Sequence, residues 1–276
     1  MSVARSVALI TALLLAFPIL GSDDTNGDRF VEVLIPLAFA YQANALTPVV
    51  IEGAYGSRWT GEAWFHNGTD LDVGSPIHKG EICLFPTPCP VLYPKRTTTP
   101  IRLLPFIVSD PNRGALFSIP LDSANTFRSF TFSARVLELS RRSQPNGVEV
   151  PVVWEREYLS APSRLIGIPR KAESRVALRV YDPRRTAGSS VRIDLVALDG
   201  SAIASKVLMP GANLTIDEGQ PGYAAINDLE VEFPQLAAYD RFDILITPLT
   251  AGMEFWAFAA VTDRDTQHVL FITPDR

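Results

Sequence analysis

The stretch Ser190–Gly200, SVRIDLVALDG, decides the fold class of this chain. Its apolar side chains stand at every second position: Val191, Ile193, Leu195 and Ala197. Arg192 and Asp194 fall between them, and the stretch closes on the turn residues Asp199 and Gly200. Alternation with a period of two is typical of a half-buried β-strand that ends at a turn.

The same pattern recurs in RSFTFSARV (128–136) and RFDILITP (241–248). Turn-rich segments such as LDGSA, LMPGAN, TDRDTQ and SQPNGVE separate these runs, and 22 prolines and 17 glycines interrupt most helical patterns. The sequence therefore predicts an all-β protein made of antiparallel sandwiches. A short helical turn is expected around Asp228 to Ala238, where the second unit must cross between its sheets.

Two passages resemble each other: SRWTGEAWFHNGTDLDV from Ser57 and SRVALRVYDPRRTAGSSV from Ser174. Each has a Ser-Arg pair, a strand, a polar turn and a return strand. We interpret them as a diverged duplication that gives two tandem sandwich domains, 29–170 and 171–276. The first domain carries a proline-rich insertion between Leu71 and Asn125. Chance similarity between β-rich halves is the alternative.

The N-terminus has the order of a secretory signal. Arg5 precedes the apolar run Val7–Leu20, and Gly21 and Ser22 follow it. The run is shorter than the roughly 20 residues that span a bilayer. We expect a signal peptide at 1–22, an acidic linker at 23–28 and export to the periplasm or outside the cell. An uncleaved anchor is the alternative; no later segment is predicted to span a membrane.

Charge and cysteine content limit the classes of partner. The formal net charge of −5 and the absence of basic tracts argue against nucleic-acid binding. Cys83 and Cys89 are predicted to form a disulfide in an oxidising compartment, since Pro86 and Pro88 help the chain to double back. Free or metal-bound thiols are the alternative. We expect no cofactor and no metal.

The stretch Gly53–Thr69, GAYGSRWTGEAWFHNGT, concentrates reactive residue types. It lacks the Gly-x-Ser-x-Gly pattern of a nucleophile elbow, and His66 lies nine residues from Ser57 along a predicted strand. We therefore predict a tight turn that leads into a buried strand. Ala63 and Phe65 are expected on one face of this strand, and Trp64 and His66 on the other.

Two further sets of residues are candidates for function. Glu155 and Glu157 stand two apart on a predicted strand, at a separation that a glycosidase acid–base pair could use. A solvated strand face is the simpler interpretation. Tryptophans grouped on one surface could stack on sugar rings, although tryptophan in a strand more often covers a core. The chain has four: Trp59, Trp64, Trp154 and Trp256.

The run GAYGSRWTGEAWFHNGTD, preceded by VLIPL, resembles segments of uncharacterised exported bacterial proteins built from tandem immunoglobulin-like sandwiches. The resemblance rests on a Gly-x-x-Gly-Ser-x-Trp turn followed by a strand and a polar turn. It covers about a fifth of the first unit. It implies a fold class and an exported location, and it implies no activity.

The leading functional hypothesis is a non-enzymatic structural or interaction module that binds a protein partner through loops or sheet edges. Binding of a cell-surface glycan through exposed tryptophans is the second hypothesis. A glycoside hydrolase that uses Glu155 and Glu157 is the third. The oligomeric state does not follow from the sequence.

Overall fold

The computed structural model describes residues 29–38, 50–68, 73–74, 77–78, 92–93, 95–101, 111–121, 130–141, 145–212, 214 and 219–275. Its strands are β1 (Arg29–Ile35), β2 (Ile51–Glu52), β3 (Arg58–Asn67), β4 (Val73–Gly74), β5 (Ile77–His78), β6 (Leu92–Tyr93), β7 (Thr97–Ile101), β8 (Ala115–Leu121), β9 (Phe130–Glu138), β10 (Val148–Val150), β11 (Val153–Trp154), β12 (Ser163–Pro169), β13 (Ser174–Asp182), β14 (Val191–Ala197), β15 (Ala202–Leu208), β16 (Gly222–Ile226), β17 (Arg241–Pro248), β18 (Trp256–Asp263) and β19 (Val269–Ile272). The α-helix among these residues is α1 (Leu229–Glu232), and 3-10 turns lie at Ala54–Gly56, Pro111–Arg113, Glu155–Glu157, Pro210–Ala212 and Pro234–Ala238.

The strands form antiparallel sheets, which confirms the all-β prediction. Sheet I has the order β10-β9-β3-β2, with β7 also paired to β3, and sheet II has the order β11-β1-β8-β5. Sheet III has the order β16-β13-β18-β19, and sheet IV has the order β12-β17-β14-β15. A two-stranded pair, β4-β6, completes the described set.

Alternating side chains build a core between the sheets of each pair. On β14, Val191, Ile193 and Leu195 are fully buried, as the opening stretch predicts. They pack with residues of sheet III such as Leu178 and Ala259 in one apolar cluster between sheets III and IV. A second cluster lies between sheets I and II, with members that include the following aromatic residues: Phe65, Phe117, Phe130 and Phe132.

A third apolar cluster joins sheet II to sheet III. Strands β1 and β18 are buried on both faces, and for that reason VLI and WAFAA read as continuous apolar runs. The side chains that point away from the first two cores meet here: Leu34, Leu116, Val153, Tyr158, Tyr181, Trp256 and Phe258. Sheet II therefore packs against sheets I and III, sheet III packs against sheet IV, and sheet I also contacts sheet III where β10 meets β19.

The first strand of the second pair of sheets, β12, lies before the predicted boundary near residue 171. Strand β12 (Ser163–Pro169) pairs with β17 in sheet IV, so it belongs to the second pair of sheets. The chain passes from one pair to the other in residues 155–162. A local sequence pattern does not show which distant strand will pair with β12. The first residue of this strand, Ser163, pairs with Ile246 on β17.

The predicted helical turn is confirmed. Helix α1 and the 3-10 turn Pro234–Ala238 carry the chain from β16 in sheet III to β17 in sheet IV. The Asp228 side chain caps the helix by accepting hydrogen bonds from the N–H groups of Glu230 and Val231. This is the usual role of aspartate at a helix start.

Candidate functional site

Glu155 and Glu157 lie in the segment that joins the two pairs of sheets. The prediction that both stand on a strand is wrong, because β11 ends at Trp154 and residues 155–157 form a 3-10 turn. The Glu157 carboxylate accepts a hydrogen bond from the Trp154 N–H at 3.0 Å, which holds the chain in this turn. Residues two apart in such a turn point in different directions, so the two carboxylates do not form a pair.

Glu155 instead belongs to an ionic cluster around Arg184. The guanidinium contacts Glu155 at 2.7 Å, Glu32 at 3.0 Å and Glu254 at 2.6 Å. It also lies over the Tyr158 ring, with Cζ 5.5 Å from the ring centroid. Burial acts against the charged form, but hydrogen bonds to Glu155 and Glu254 raise the pKa of Arg184 above its ordinary value. Arg184, which follows the end of β13, is thus linked to three other segments of the chain. These are β1, the 155–157 turn and the residues just before β18.

Tyr158 is the buried member of this group. Burial, and next the Glu32 carboxylate, raise the pKa of its hydroxyl well above the ordinary value, so the hydroxyl stays neutral. That hydroxyl is buried and has no hydrogen-bond partner among the described residues. The next residue, Leu159, forms a pair of backbone hydrogen bonds with Phe255, at 2.8 and 2.9 Å. The joining segment is thus held by charge, packing and backbone bonds.

An open hollow of about 550 Å³ lies beside the joining segment. Glu157, Tyr158 and Arg156 line one side of it, and Trp256, Thr273 and Pro274 line the other. Neither Glu155 nor Trp154 is part of this lining. The hollow therefore holds one of the two candidate carboxylates, and it lacks the acid–base pair that the hydrolase hypothesis needs.

The four tryptophans stand in different places. Trp154 packs edge-on against Phe132 at the sheet I–II core, and Trp256 is buried in the cluster between sheets II and III. Trp59 packs against the sheet I–II core, and its indole N–H donates to Ser57 Oγ at 2.8 Å. Trp64 lies on the face of β3 opposite Phe65. No two of them line the same hollow.

The stretch from Gly53 is a turn that leads into a strand, as predicted. Residues 54–56 form the 3-10 turn, and β3 follows with Phe65 fully buried and Ala63 packed on the same core. Ser57 Oγ donates to the Ala54 carbonyl oxygen at 2.7 Å, whereas His66 Nδ1 contacts Thr98 Oγ1 at the other end of β3. Ser57 and His66 therefore cannot act on one another.

A second cleft, of about 220 Å³, lies between sheet I and the outer face of sheet III. Arg175, Ala177 and Arg179 alternate along its floor on β13. The opposite wall comes from the first pair of sheets and includes Trp59 and Ile51. The turn at Gly53 brings Trp59 to this wall: a Cβ added at Gly53 would lie 2.7 Å from the indole Nε1, so only glycine leaves room for the ring.

Sequence reasoning did not single out Arg175, Arg179 or Arg184. Arg175 and Arg179 occur in SRVALRVYD, where alternation already places them on the same face of the strand with a small residue between them. This spacing of Arg175 and Arg179 is the feature of the sequence that could have identified them as neighbours on one surface. What it could not show is that this face of β13 is covered by another part of the chain.

Several predicted features lie outside the described residues. These are the signal peptide at 1–22, the linker at 23–28, most of the proline-rich stretch, and the Cys83–Cys89 disulfide. Within the described ranges, no group of three or more His, Cys, Asp or Glu side chains is arranged to hold a metal ion. The described part of the chain also contains no helix with the length and apolar character needed to cross a membrane.

No protein-family model, curated protein or solved structure significantly matches this chain. The function is therefore inferred from the geometry of the described residues.

Proposed function

We propose that this chain is an exported, non-enzymatic interaction module made of two tandem immunoglobulin-like sandwiches that binds a protein partner at a sheet edge. The observation that carries the proposal is the edge strand β15 (Ala202–Leu208). It pairs with β14 on one side and with no described strand on the other. An unpaired edge presents backbone hydrogen-bond donors and acceptors, to which an extended peptide can bind as an additional strand.

The strand orders of the two pairs of sheets support the tandem arrangement. Sheet I contains the order β10-β9-β3-β7, and sheet III has β19-β18-β13-β16 in the corresponding places. Sheet II contains β1-β8-β5, and sheet IV contains β12-β17-β14. When these strands are taken in chain order, each strand of the first pair of sheets has the same place in its sheet as the corresponding strand of the second pair. Duplication of one unit explains this correspondence more simply than independent assembly.

Other outer strands of the second pair are less open than β15. The Arg164 carbonyl oxygen of β12 accepts a hydrogen bond from the Asp275 N–H at 3.2 Å, and the pairing of β12 with β17 shifts register between Leu165 and Ile168. Strand β16 contacts the 3-10 turn Pro210–Ala212, and β19 contacts β10 of sheet I. Strand β15 also contacts the 3-10 turn Pro234–Ala238, but no described strand or chain terminus is hydrogen-bonded to its outer edge.

The side chains of β15 suit an extended partner with apolar residues. Val207 is 49% exposed and Met209, just past the strand, is 50% exposed. Lys206, which forms an ion pair with Glu232, is the kind of charged edge residue that discourages unspecific pairing. Backbone pairing would supply affinity, and contact with Val207 and Met209 would supply selectivity.

Site-specific photocrosslinking in the source cell tests this function. A photoreactive amino acid at Val207 or Met209 is expected to give a discrete adduct, whereas one at Arg192, on the neighbouring inner strand β14, is expected to give none. A self-adduct, together with a dimer in analytical ultracentrifugation, would identify a second copy of the chain as the partner. Absence of any adduct at β15, or equal adducts at Arg192, would contradict the proposal.

The exported location is tested separately. Cell fractionation is expected to place the protein outside the inner membrane, with a mature N-terminus near Asp23 by terminal sequencing. A cytoplasmic protein that begins at Met1 would contradict this part of the proposal and leave the β15 experiment unaffected.

A further inference from the structure

We propose that the cleft between sheets I and III binds a small organic carboxylate, with Arg175 holding its carboxylate group and Trp59 contacting its apolar body. The inference goes beyond the proposed protein partner, because this cleft is built from β13, β18 and β19, whereas β15 is an edge of sheet IV.

The shape of the cleft follows from cross-strand pairs on the outer face of sheet III. Arg175 pairs with Thr262, Ala177 with Ala260, and Arg179 with Phe258. The two alanines in the middle leave a depression, and an arginine stands at each end of it. Phe271 on β19, which pairs with Ala260, continues the floor as an apolar surface. A ligand with one charged end and an apolar body fits such a floor.

The charge of the cleft is positive and incompletely balanced. Arg175 makes no hydrogen bond or ion pair with any described residue, although Asp228 is near enough to act on its charge. Burial, and next the neighbouring Arg179, lower the pKa of Arg175, but a guanidinium stays protonated in proteins. A partly buried cation without a partner is unfavourable, and an anionic ligand relieves that cost.

The described groups near Arg175 do not form an ion pair with it. Arg179 donates to the amide oxygen of Asn112 at 2.8 Å, which is a neutral acceptor. Glu52, on the opposite wall, forms an ion pair with Arg58 at 3.4 Å. Asp228 is engaged at the start of α1 and lies 3.9 Å from Arg264, whose Nε is buried without a hydrogen-bond partner in the described part of the chain.

The chain between the two walls supplies no carboxylate of its own. Leu37 and Ile51 both line the cleft. The intervening sequence from 39 to 49, FAYQANALTPV, contains no Asp or Glu. This segment therefore contains no carboxylate side chain that could act as a counter-ion.

The chemistry selects the ligand class. A guanidinium forms two parallel hydrogen bonds with a carboxylate, a geometry that a lysine cannot reproduce. The cleft is smaller than the roughly 300–1,000 Å³ of drug-sized sites, which favours a compact acid. The aromatic and aliphatic lining from Trp59, Phe258, Phe271 and Ile51 favours an apolar body. A free aryl or alkyl acid and the C-terminus of a short peptide share this chemistry.

Isothermal titration of the mature protein with benzoate tests the site, with benzyl alcohol as the neutral analogue. Benzoate is expected to bind saturably and at least tenfold more tightly than benzyl alcohol. N-acetyl-phenylalanine, which has a carboxylate like that of a peptide C-terminus, distinguishes a peptide terminus from a free acid, and its amide is the neutral control. Tighter binding of N-acetyl-phenylalanine than of benzoate indicates a peptide terminus. Equal affinity for benzoate and benzyl alcohol, or no saturable binding of either acid, would overturn the proposal.

Variants locate the site. Arg175→Met is expected to weaken benzoate binding at least tenfold, and Arg192→Met, which removes an exposed arginine of sheet IV, is expected to leave it unchanged. Arg175→Lys keeps the charge without the forked geometry, so it is expected to bind several-fold more weakly than the parent; this variant decides the matter if Arg175→Met does not fold. Unchanged affinity for benzoate in both Arg175 variants would contradict the assignment of Arg175 to the binding site.

Tryptophan fluorescence gives an independent readout. Benzoate is expected to change the emission of the parent protein, and Trp59→Phe is expected to abolish that change. Trp64→Phe, which removes an indole on the other side of β3, is the matched control and should preserve it. A change that persists in Trp59→Phe would place the ligand elsewhere and overturn the inference.

Discussion

At the scale of single residues, Glu138 shows how a buried charge is made tolerable. It ends β9, it is only 4% exposed, and its carboxylate accepts hydrogen bonds from the Ser140 hydroxyl and from the N–H groups of Arg58, Ser140 and Arg141. Burial acts to raise the pKa of Glu138, but these hydrogen bonds lower it from 4.5 to about 2. Asp263, the last residue of β18, accepts similar local hydrogen bonds from Thr266 and from the N–H of Asp265, but it is not buried.

Glu138→Gln is expected to destabilise the protein by about 3 kcal/mol at pH 7, because folding lowers the pKa of Glu138 from 4.5 to about 2 and each pKa unit corresponds to about 1.4 kcal/mol. Because the folded pKa is the lower one, the contribution of Glu138 is present above pH 4.5 and is lost as pH falls towards 2. Urea unfolding at pH 7 and pH 3 measures it, and the difference between parent and variant should shrink at pH 3. Glu149→Gln, an exposed residue of β10, is the control; an equal loss in both variants would contradict the prediction.

Two tyrosine hydroxyls at the contact between sheets II and III have opposite expected roles. The Tyr181 hydroxyl lies 2.7 Å from the Pro36 carbonyl oxygen and 2.9 Å from that of Asn112, whereas the Tyr158 hydroxyl has no partner among the described residues. Tyr181→Phe should cost about 1–3 kcal/mol, since it leaves buried carbonyl oxygens unsatisfied. Tyr158→Phe should be neutral or slightly stabilising. Thermal unfolding of both variants compares them, and a larger loss for Tyr158→Phe would refute this assignment.

At the scale of elements, the joining segment 155–162 decides how the two pairs of sheets are held. It has little regular structure of its own, and it is fixed by Arg184 from the end of β13 and by the Leu159–Phe255 backbone pair. Arg184 reaches Glu32, which is 152 positions away in the sequence. The segment is therefore attached to the sheets on both sides of it, with Tyr158 as its buried residue.

Arg184→Gln is expected to destabilise the protein by about 1–3 kcal/mol, because it leaves three neighbouring glutamates without their shared cation. The ionic part of this loss is partly screened by salt, so the gap between parent and variant should narrow from 0.05 M to 1 M sodium chloride. Chemical denaturation at the two salt concentrations measures it. Arg192→Gln, whose ion pair with Asp194 is exposed, should change stability by less than about 0.5 kcal/mol; a matching loss there would argue against a special role for Arg184.

At the scale of the whole molecule, the cluster between sheets II and III connects the two pairs of sheets. Phe258 is fully buried there and contacts Tyr181, Trp256 and Phe271 through ring centroids 5.3–6.2 Å apart. Removal of the Phe258 ring should weaken the contact between the two pairs of sheets more than it weakens the core within either pair. Unfolding of the parent protein is expected to give one transition.

Phe258→Ala is expected to cost about 3–5 kcal/mol and to split the calorimetric trace into two transitions, because each pair of sheets keeps its own core. Phe242→Ala, inside the sheet III–IV core, should cost a similar amount without the same splitting. Two transitions in the parent protein would show that the halves unfold independently and would contradict this prediction.

Much of the fold could be predicted from the sequence because strand alternation is a local property. Successive side chains of an extended chain point to opposite sides, so Val191, Ile193 and Leu195 declare a buried face without reference to any partner. The turn at Gly53 and the cap at Asp228 are local for the same reason. The strand predicted for Glu155 and Glu157 was wrong: these residues form a turn, in which the backbone N–H of Trp154 donates to the Glu157 carboxylate.

By itself, the sequence determined that this chain forms antiparallel sheets and which side chains of its clearly alternating strands, such as β9, β14 and β17, face inward. Only the tertiary structure decided that β12 belongs to the second pair, that Arg184 gathers three glutamates, and that Arg175 lies in one cleft with Trp59 and forms no ion pair with a described residue. These facts depend on contacts between residues far apart in the chain, which are selected by the total burial and charge balance of the folded protein. No short stretch of residues carries that information.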